Sequence, residues 1–300
     1  MATVLFVCCG CLVTTGPAFS QDLEPRAYTA APIGLNFVVA ALGRSSGGVV
    51  VDPSLPIEDV QAKVGSFAVG GGRTFNFFGR TALGVVVIPY AWAEATGRIN
   101  EAAASATRSG LADSRLKLSV NLLGGRALTP GEFAKAQRPA IVGVSLTAVP
   151  PIGQYYSSKL INLGANRWAF KPEVGVSRLI GRWTLDGYAG LWLFTGNDQY
   201  YPGRSVRTQA PIFALQLHGS YTLRPQLWIA INGTWYSGGT TTVDGVDKAN
   251  PQRNSRIGAT LSLPLARGQS IKVSGSEGAT TRLGADFRTI AVAWQLAWLD

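Results

Sequence analysis

The sequence predicts an all-β protein, an antiparallel transmembrane β-barrel of about 12 strands with short periplasmic turns and longer extracellular loops. Three observations lead there. Charged residues make up 15% of the 300 residues, against roughly 25% in soluble domains. After residue 20 no segment reaches the ~18–20 uninterrupted apolar residues of a membrane helix, and the longest apolar run, Leu83–Ala93, has 11. The remaining apolar residues alternate with polar ones in strand-sized pieces, so each piece has one apolar and one polar face.

Residues 1–20 are uncharged, with an apolar core over Val4–Val13 and small residues at Ala18 and Ser20. This resembles a signal peptide cut before Gln21. The rival is a lipoprotein signal using Cys11, whose preceding residues Cys8-Cys9-Gly10 lack the usual Leu. All three cysteines lie in this segment, so a processed chain has neither disulfides nor thiolate metal sites. The formal charge of +10 survives removal of residues 1–20. The cations form no dense run and no recognition helix, so no nucleic acid is expected as a partner. Residues 21–32 read as an irregular N-terminal segment, and 33–300 as the barrel.

The first strand is Ile33–Leu42 and the second Val60–Val69, with Gly70-Gly71-Gly72-Arg73 opening a turn. Arg80–Thr96 is the third, followed by a loop over 97–113. Ser114–Leu123 alternates most clearly: Leu116, Leu118, Val120 and Leu122 oppose Arg115, Lys117, Ser119 and Asn121. Two cations opposite four aliphatics suit a wet lumen better than a dry core. Pro130–Lys135 has the makings of a helical turn inside a linker over 124–139.

Next come Ala140–Val149 and Trp168–Arg178, the latter with Lys171 and Glu173 inward. Three strands follow within Arg182–Ser237, where Arg182, Asp186, Tyr188, Trp192, Gln216, His218, Asn232 and Tyr236 share the inner face. Ser255–Leu265 turns Arg256 inward, Ser270–Ser276 turns Lys272 inward, and Ala285–Trp298 ends the series. The count is twelve. With the first strand running outward, the turns near residues 180, 225 and 268 fall in the periplasm, and the loops near 43–59, 97–113, 150–167, 195–207, 238–254 and 277–284 fall outside. Trp168, Trp183, Tyr221, Trp235, Trp294 and Trp298 lie near strand ends on the apolar face, where aromatic girdles belong. A soluble sandwich would alternate too, but its strands are usually shorter, at ~5–6 residues.

Several short stretches carry a family resemblance: Phe78-Gly79-Arg80-Thr81, Val87-Ile88-Pro89-Tyr90, Gly110-Leu111-Ala112-Asp113, Gly153-Gln154-Tyr155, Asn162-Leu163-Gly164-Ala165-Asn166-Arg167-Trp168 and Lys171-Pro172-Glu173-Val174-Gly175. Over roughly residues 60–298 the chain resembles the MetA-pathway of phenol degradation family of outer-membrane transporters. The resemblance implies a location in the bacterial outer membrane and passage of small, aromatic or hydrophobic compounds by diffusion.

The lumen-lining candidates are thus Arg115, Lys117, Lys171, Glu173, Arg182, Asp186, Tyr188, Trp192, Gln216, His218, Asn232, Tyr236, Arg256 and Lys272. Their cation excess favours anions if the lumen is wet. The alternative is that the charges pair across it, Lys171 with Glu173 and Arg182 with Asp186. Aromatic solutes would meet Tyr188, Trp192, Trp228 or Tyr236. The expected partners are outer-membrane lipid, the barrel-assembly machinery and a small-molecule solute, with no cofactor, no metal and no catalytic residue. A lipid hydrolase using His218 and Ser220 is the enzymatic alternative, and a structural or adhesive barrel the third.

Overall fold

The computed structural model describes residues 23–50, 57–99 and 102–300; the signal-peptide reading of residues 1–20 lies outside the described residues. The strands are β1 (Leu35–Val50), β2 (Ile57–Phe77), β3 (Arg80–Ile99), β4 (Ala102–Leu111), β5 (Arg115–Leu123), β6 (Ile141–Val149), β7 (Ala169–Ile180), β8 (Trp183–Phe194), β9 (Asn197–Tyr200), β10 (Ser205–Gln209), β11 (Ile212–Arg224), β12 (Leu227–Gly238), β13 (Thr241–Val243), β14 (Val246–Asp247), β15 (Gln252–Ala266), β16 (Gln269–Thr280) and β17 (Gly284–Leu299). One helical turn, α1 (Pro130–Phe133), interrupts them. It carries a capping box between Thr129 and Glu132.

Both β4 and β5 pair with β3, so they form one stave broken at Ala112-Asp113-Ser114. Counted that way the wall has twelve antiparallel staves, and β17 closes it against β1 from Leu35↔Leu299 to Val50↔Gly284. Closure leaves no ladder edge in lipid, where unpaired backbone groups cannot be satisfied. The remaining four strands form a separate small sheet in the order β14-β13-β10-β9, built from the loops on the long-loop side.

Burial is the reverse of a soluble protein's. Outward apolar side chains are exposed, among them Ile231 at 75% and Ile290 at 65%, while the polar Ser220 and Ser262 inside are wholly buried. Apolar outside and polar inside is the arrangement a bilayer selects. Two aromatic belts flank the apolar band. Trp183 meets Tyr221 edge-on at 5.0 Å near the short turns, and Phe213 meets Trp235 at 6.0 Å near the long loops.

The structure corrects several expected boundaries. The Gly70-Gly71-Gly72 stretch opens no turn: it lies inside β2, paired with Val39, Val38 and Phe37 on one side and with Val87, Val86 and Val85 on the other. The physical reason is space. A Cβ on Gly72 would come within 2.6 Å of the Phe37 ring, so the glycine admits an inward aromatic. The expected linker over 70–79 shrinks to the two-residue turn Phe78-Gly79, both at positive φ (48° and 78°), as a twist-matched hairpin turn demands. The loops expected at 43–59, 97–113 and 277–284 are largely strand, because β1 to β4, β16 and β17 continue beyond the apolar band.

Candidate functional site: the barrel lumen

Leu23–Pro32, upstream of the first strand, runs inside the barrel and contacts its wall. Burial of Arg26, Ala27 and Tyr28 is nearly complete. The Arg26 backbone N–H donates to Asp186 Oδ2 at 3.1 Å, and its side chain donates to Ser220 Oγ and Thr222 Oγ1, each at 2.8 Å. Its guanidinium also lies 4.6 Å from the centre of the Trp228 ring. The Ala27 N–H donates to the Tyr188 hydroxyl at 3.0 Å.

Tyr28 occupies a slot made by the wall. A Cβ on Gly175 would come within 2.2 Å of the Tyr28 ring, and one on Gly143 within 2.5 Å. Two glycines on adjacent staves β6 and β7 therefore open the sheet surface to this one side chain. Its hydroxyl donates to Glu173 Oε1 at 3.0 Å and lies 2.8 Å from Ser145 Oγ. Its ring meets Tyr188 edge-on at 5.1 Å.

A charge cluster surrounds this slot. Glu173 Oε2 lies 3.0 Å from Lys171 Nζ and receives Gln216 Nε2 at 3.2 Å. Lys117 Nζ lies 2.9 Å from Glu24 and 3.9 Å from Glu173. Charges this far from water persist because each has a partner and further hydrogen bonds. The expected Lys171–Glu173 pair is thus formed. The expected Arg182–Asp186 pair is not: Arg182 sits exposed in the turn between β7 and β8, because β8 starts at Trp183 and the turn takes the residue before it. Asp186 instead serves the N-terminal segment.

Of the other predicted residues, Tyr188, Trp192, Gln216, His218, Asn232, Tyr236 and Arg256 are buried inside. Arg115, Lys117 and Lys272 are half-buried on the inner face. His218 Nδ1 lies 2.9 Å from Asn232 Oδ1, and Asn232 Nδ2 donates to Thr260 at 3.0 Å. Arg256 donates to Ser276 and the Phe287 carbonyl. Ser220 is held by Arg26 and Thr184, and among the described residues no hydrogen bond joins it to His218. A nucleophile–base pair needs that bond.

The opposite half of the lumen is different. Phe37, Val39 and Ala41 from β1, Ala68 from β2, Leu83, Val85 and Val87 from β3 and Ala293 from β17 form one buried apolar cluster. The periodicity of single strands did not reveal it. The signal was the unbroken run Leu83–Ala93, since a strand apolar on both faces reads as continuous. Glu24, Arg26 and Tyr28 were missed as well, because an irregular segment has no period to read.

Two cavities lie at the ends of the lumen. One of about 120 Å³ at the short-turn end is lined by Arg26, Ile141, Ser177, Thr184, Thr222 and Trp228. Another of about 220 Å³ at the long-loop end includes Arg167, Phe194, Tyr200, Arg207 and Ile212. Tyr28, Tyr188, Trp192 and Tyr236 occupy the buried levels between them. Among the described residues no cluster of three or more His, Cys, Asp or Glu could hold a metal, and no helix is long and apolar enough to cross a membrane.

Comparison with known proteins agrees with this geometry. The sequence profile of the family described as "Putative MetA-pathway of phenol degradation" matches residues 41–288. The structure is similar to the COG4313 outer membrane channel from Pseudomonas putida F1, with a TM-score of 0.79 at 17% identity over 92% of this chain and 100% of that one. It is similar also to the β domain of the Bordetella autotransporter BrkA, with a TM-score of 0.51 at 10% identity over 89% of this chain and 100% of that one. The NanC porin gives a TM-score of 0.50 at 7% identity over 86% of this chain and 98% of that one. No curated protein sequence matches the chain.

Proposed function

The chain belongs to the MetA-pathway of phenol degradation family, and from that footing we propose that it is a bacterial outer-membrane channel passing small solutes, aromatic and hydrophobic compounds among them, by passive diffusion. The observation that carries this reading is the lumen: a cavity at each end, with an apolar wall facing a polar, aromatic one between them. Barrels of ~8 strands are filled by their side chains and those of 16–18 hold open channels. Twelve staves with a segment seated inside support a narrow path. The inner cations Arg26, Arg115, Lys117, Lys171, Arg256 and Lys272 exceed the acids Glu24, Glu173 and Asp186, which supports anion preference. Outer-membrane lipid is the partner of the exposed apolar band. The outward series Ile290, Val292, Trp294, Leu296 and Trp298 on β17 supports recognition by the barrel-assembly machinery.

The test is conductance in planar bilayers, paired with uptake of phenol into proteoliposomes. Small, anion-preferring conductance or phenol entry above empty vesicles is the expected result. A folded protein passing neither ions nor phenol overturns the reading. The chain acts without catalysis: Ser220 faces Arg26, and detectable esterase activity lost in Ser220→Ala would contradict this.

A further inference from the structure

The cavity at the long-loop end is lined by a buried cation with one donor unpartnered. Arg167 lies in the loop before β7 and is only 8% exposed. Its Nη2 donates to Gln209 Oε1 at 2.5 Å, and its guanidinium packs on Phe194, 4.3 Å from the ring centre. Its Nη1 is buried and has no hydrogen-bond partner. A buried donor without an acceptor costs far more than one at the surface, and a charged one most of all.

The surroundings are fixed rather than loose. Gln209 is held in turn by the Gly239 carbonyl at 2.9 Å. Asn197, itself 3% exposed, donates to the Tyr155 hydroxyl and the Ala165 carbonyl, and so ties the start of β9 to the loop before β7. The nearby Asp113 does not neutralise Arg167 by contact: its two carboxylate oxygens accept the Gly153 and Ala165 N–H groups at 2.8 and 2.7 Å. A second guanidinium, Arg207, lines the same cavity and stacks on Tyr200 at 5.1 Å. The two like charges disfavour each other, and an anion between them would relieve this. The rest of the lining includes Phe194, Tyr200 and Ile212. At about 220 Å³, the cavity exceeds the ~150 Å³ that accommodates a benzene ring.

We propose that this vestibule is a binding site for a small aromatic carboxylate, with the carboxylate between the Arg167 and Arg207 guanidinium groups and the ring against Phe194 and Tyr200. A carboxylate presents two coplanar acceptors to a guanidinium fork, and Phe194 and Tyr200 offer a flat ring an aromatic surface within a lining that is otherwise largely polar. Burial pushes the Arg167 guanidinium down to about 9, the Arg207 charge adds to the effect, and the Asp113 carboxylate opposes it. The site adds a chemical class of ligand to the channel reading, but occupancy is independent of conduction.

The test is calorimetric titration of the folded, detergent-solubilised full chain with benzoate, alongside benzyl alcohol, acetate and inorganic phosphate. Benzoate is expected to bind roughly tenfold or more tightly than each of the other three, and Arg167→Gln to weaken benzoate by a similar factor. Because loss of Arg167 also removes the Gln209 bond, Arg207→Gln, with heat-modifiable gel mobility as the folding check, serves as the second variant and is expected to weaken benzoate several-fold. Equal affinity for benzyl alcohol or phosphate, or unchanged benzoate affinity in both variants, overturns the assignment. A conducting channel that ignores benzoate refutes the site alone; benzoate binding without conduction or phenol uptake refutes the channel alone.

Discussion

The two halves of the lumen solve the same problem in opposite ways. On the β5–β12 side the wall is polar, and a separate piece of chain supplies what it lacks. Arg26 satisfies Ser220 and Thr222, Tyr28 fills the gap over Gly143 and Gly175, and Glu24 neutralises Lys117. On the β17–β1–β2–β3 side the wall satisfies itself by packing Phe37 over Gly72 and surrounding it with aliphatics. A polar interior needs partners one by one, whereas an apolar interior needs only volume. The polar half therefore depends on a handful of residues, and the apolar half on the summed fit of many.

That contrast can be broken most forcefully at Glu173. Replacing it with Leu leaves Lys171 without its 3.0 Å partner and Tyr28 without its carboxylate acceptor. The expected loss is about 3–5 kcal/mol of stability, read as a lowered midpoint in urea titrations followed by gel mobility. Phe37→Ala probes the other half, where a cavity in a packed cluster costs about 3 kcal/mol, and Tyr28-side contacts should be untouched. If Phe37→Ala proved harmless, the apolar half would be an open surface and no packed wall.

Smaller effects sharpen the contrast between inside and outside. Ile231, the most exposed of the outward aliphatics on β12, should cost about 2 kcal/mol when changed to Arg in a bilayer. The smallest effect concerns the vestibule. A bound carboxylate favours the charged form of Arg167, so benzoate affinity is full at neutral pH and falls as pH rises through about 9. Arg207 and Asp113 face the same group, but the fall near pH 9 belongs to Arg167 and should vanish in Arg167→Gln.

How much of this the sequence carried depends on whether a residue sits in a periodic segment. Alternation placed Lys171, Glu173, His218, Asn232 and Arg256 on the inner face, because a strand has only two faces to choose from. It misplaced Arg182 by one residue, at a boundary where turn and strand share the same chemistry. Gly70–Gly72 signals a turn by composition, and only the Phe37 ring lying against it explains why it is strand. Glu24 meets Lys117 across 93 positions, a pairing that no local pattern encodes. Arg167 lies within the stretch Asn162–Trp168 that carries the family resemblance, but its burial depends on Phe194 from β8 and Gln209 from β10.

The most direct test of the two-sided lumen is the single-channel conductance of the refolded barrel with and without residues 23–31. Removing the segment should open the polar half, raising conductance several-fold while keeping the anion preference that Arg115, Arg256 and Lys272 sustain. Identical conductance in the two proteins would mean that the segment does not stand in the solute path, and would contradict the account.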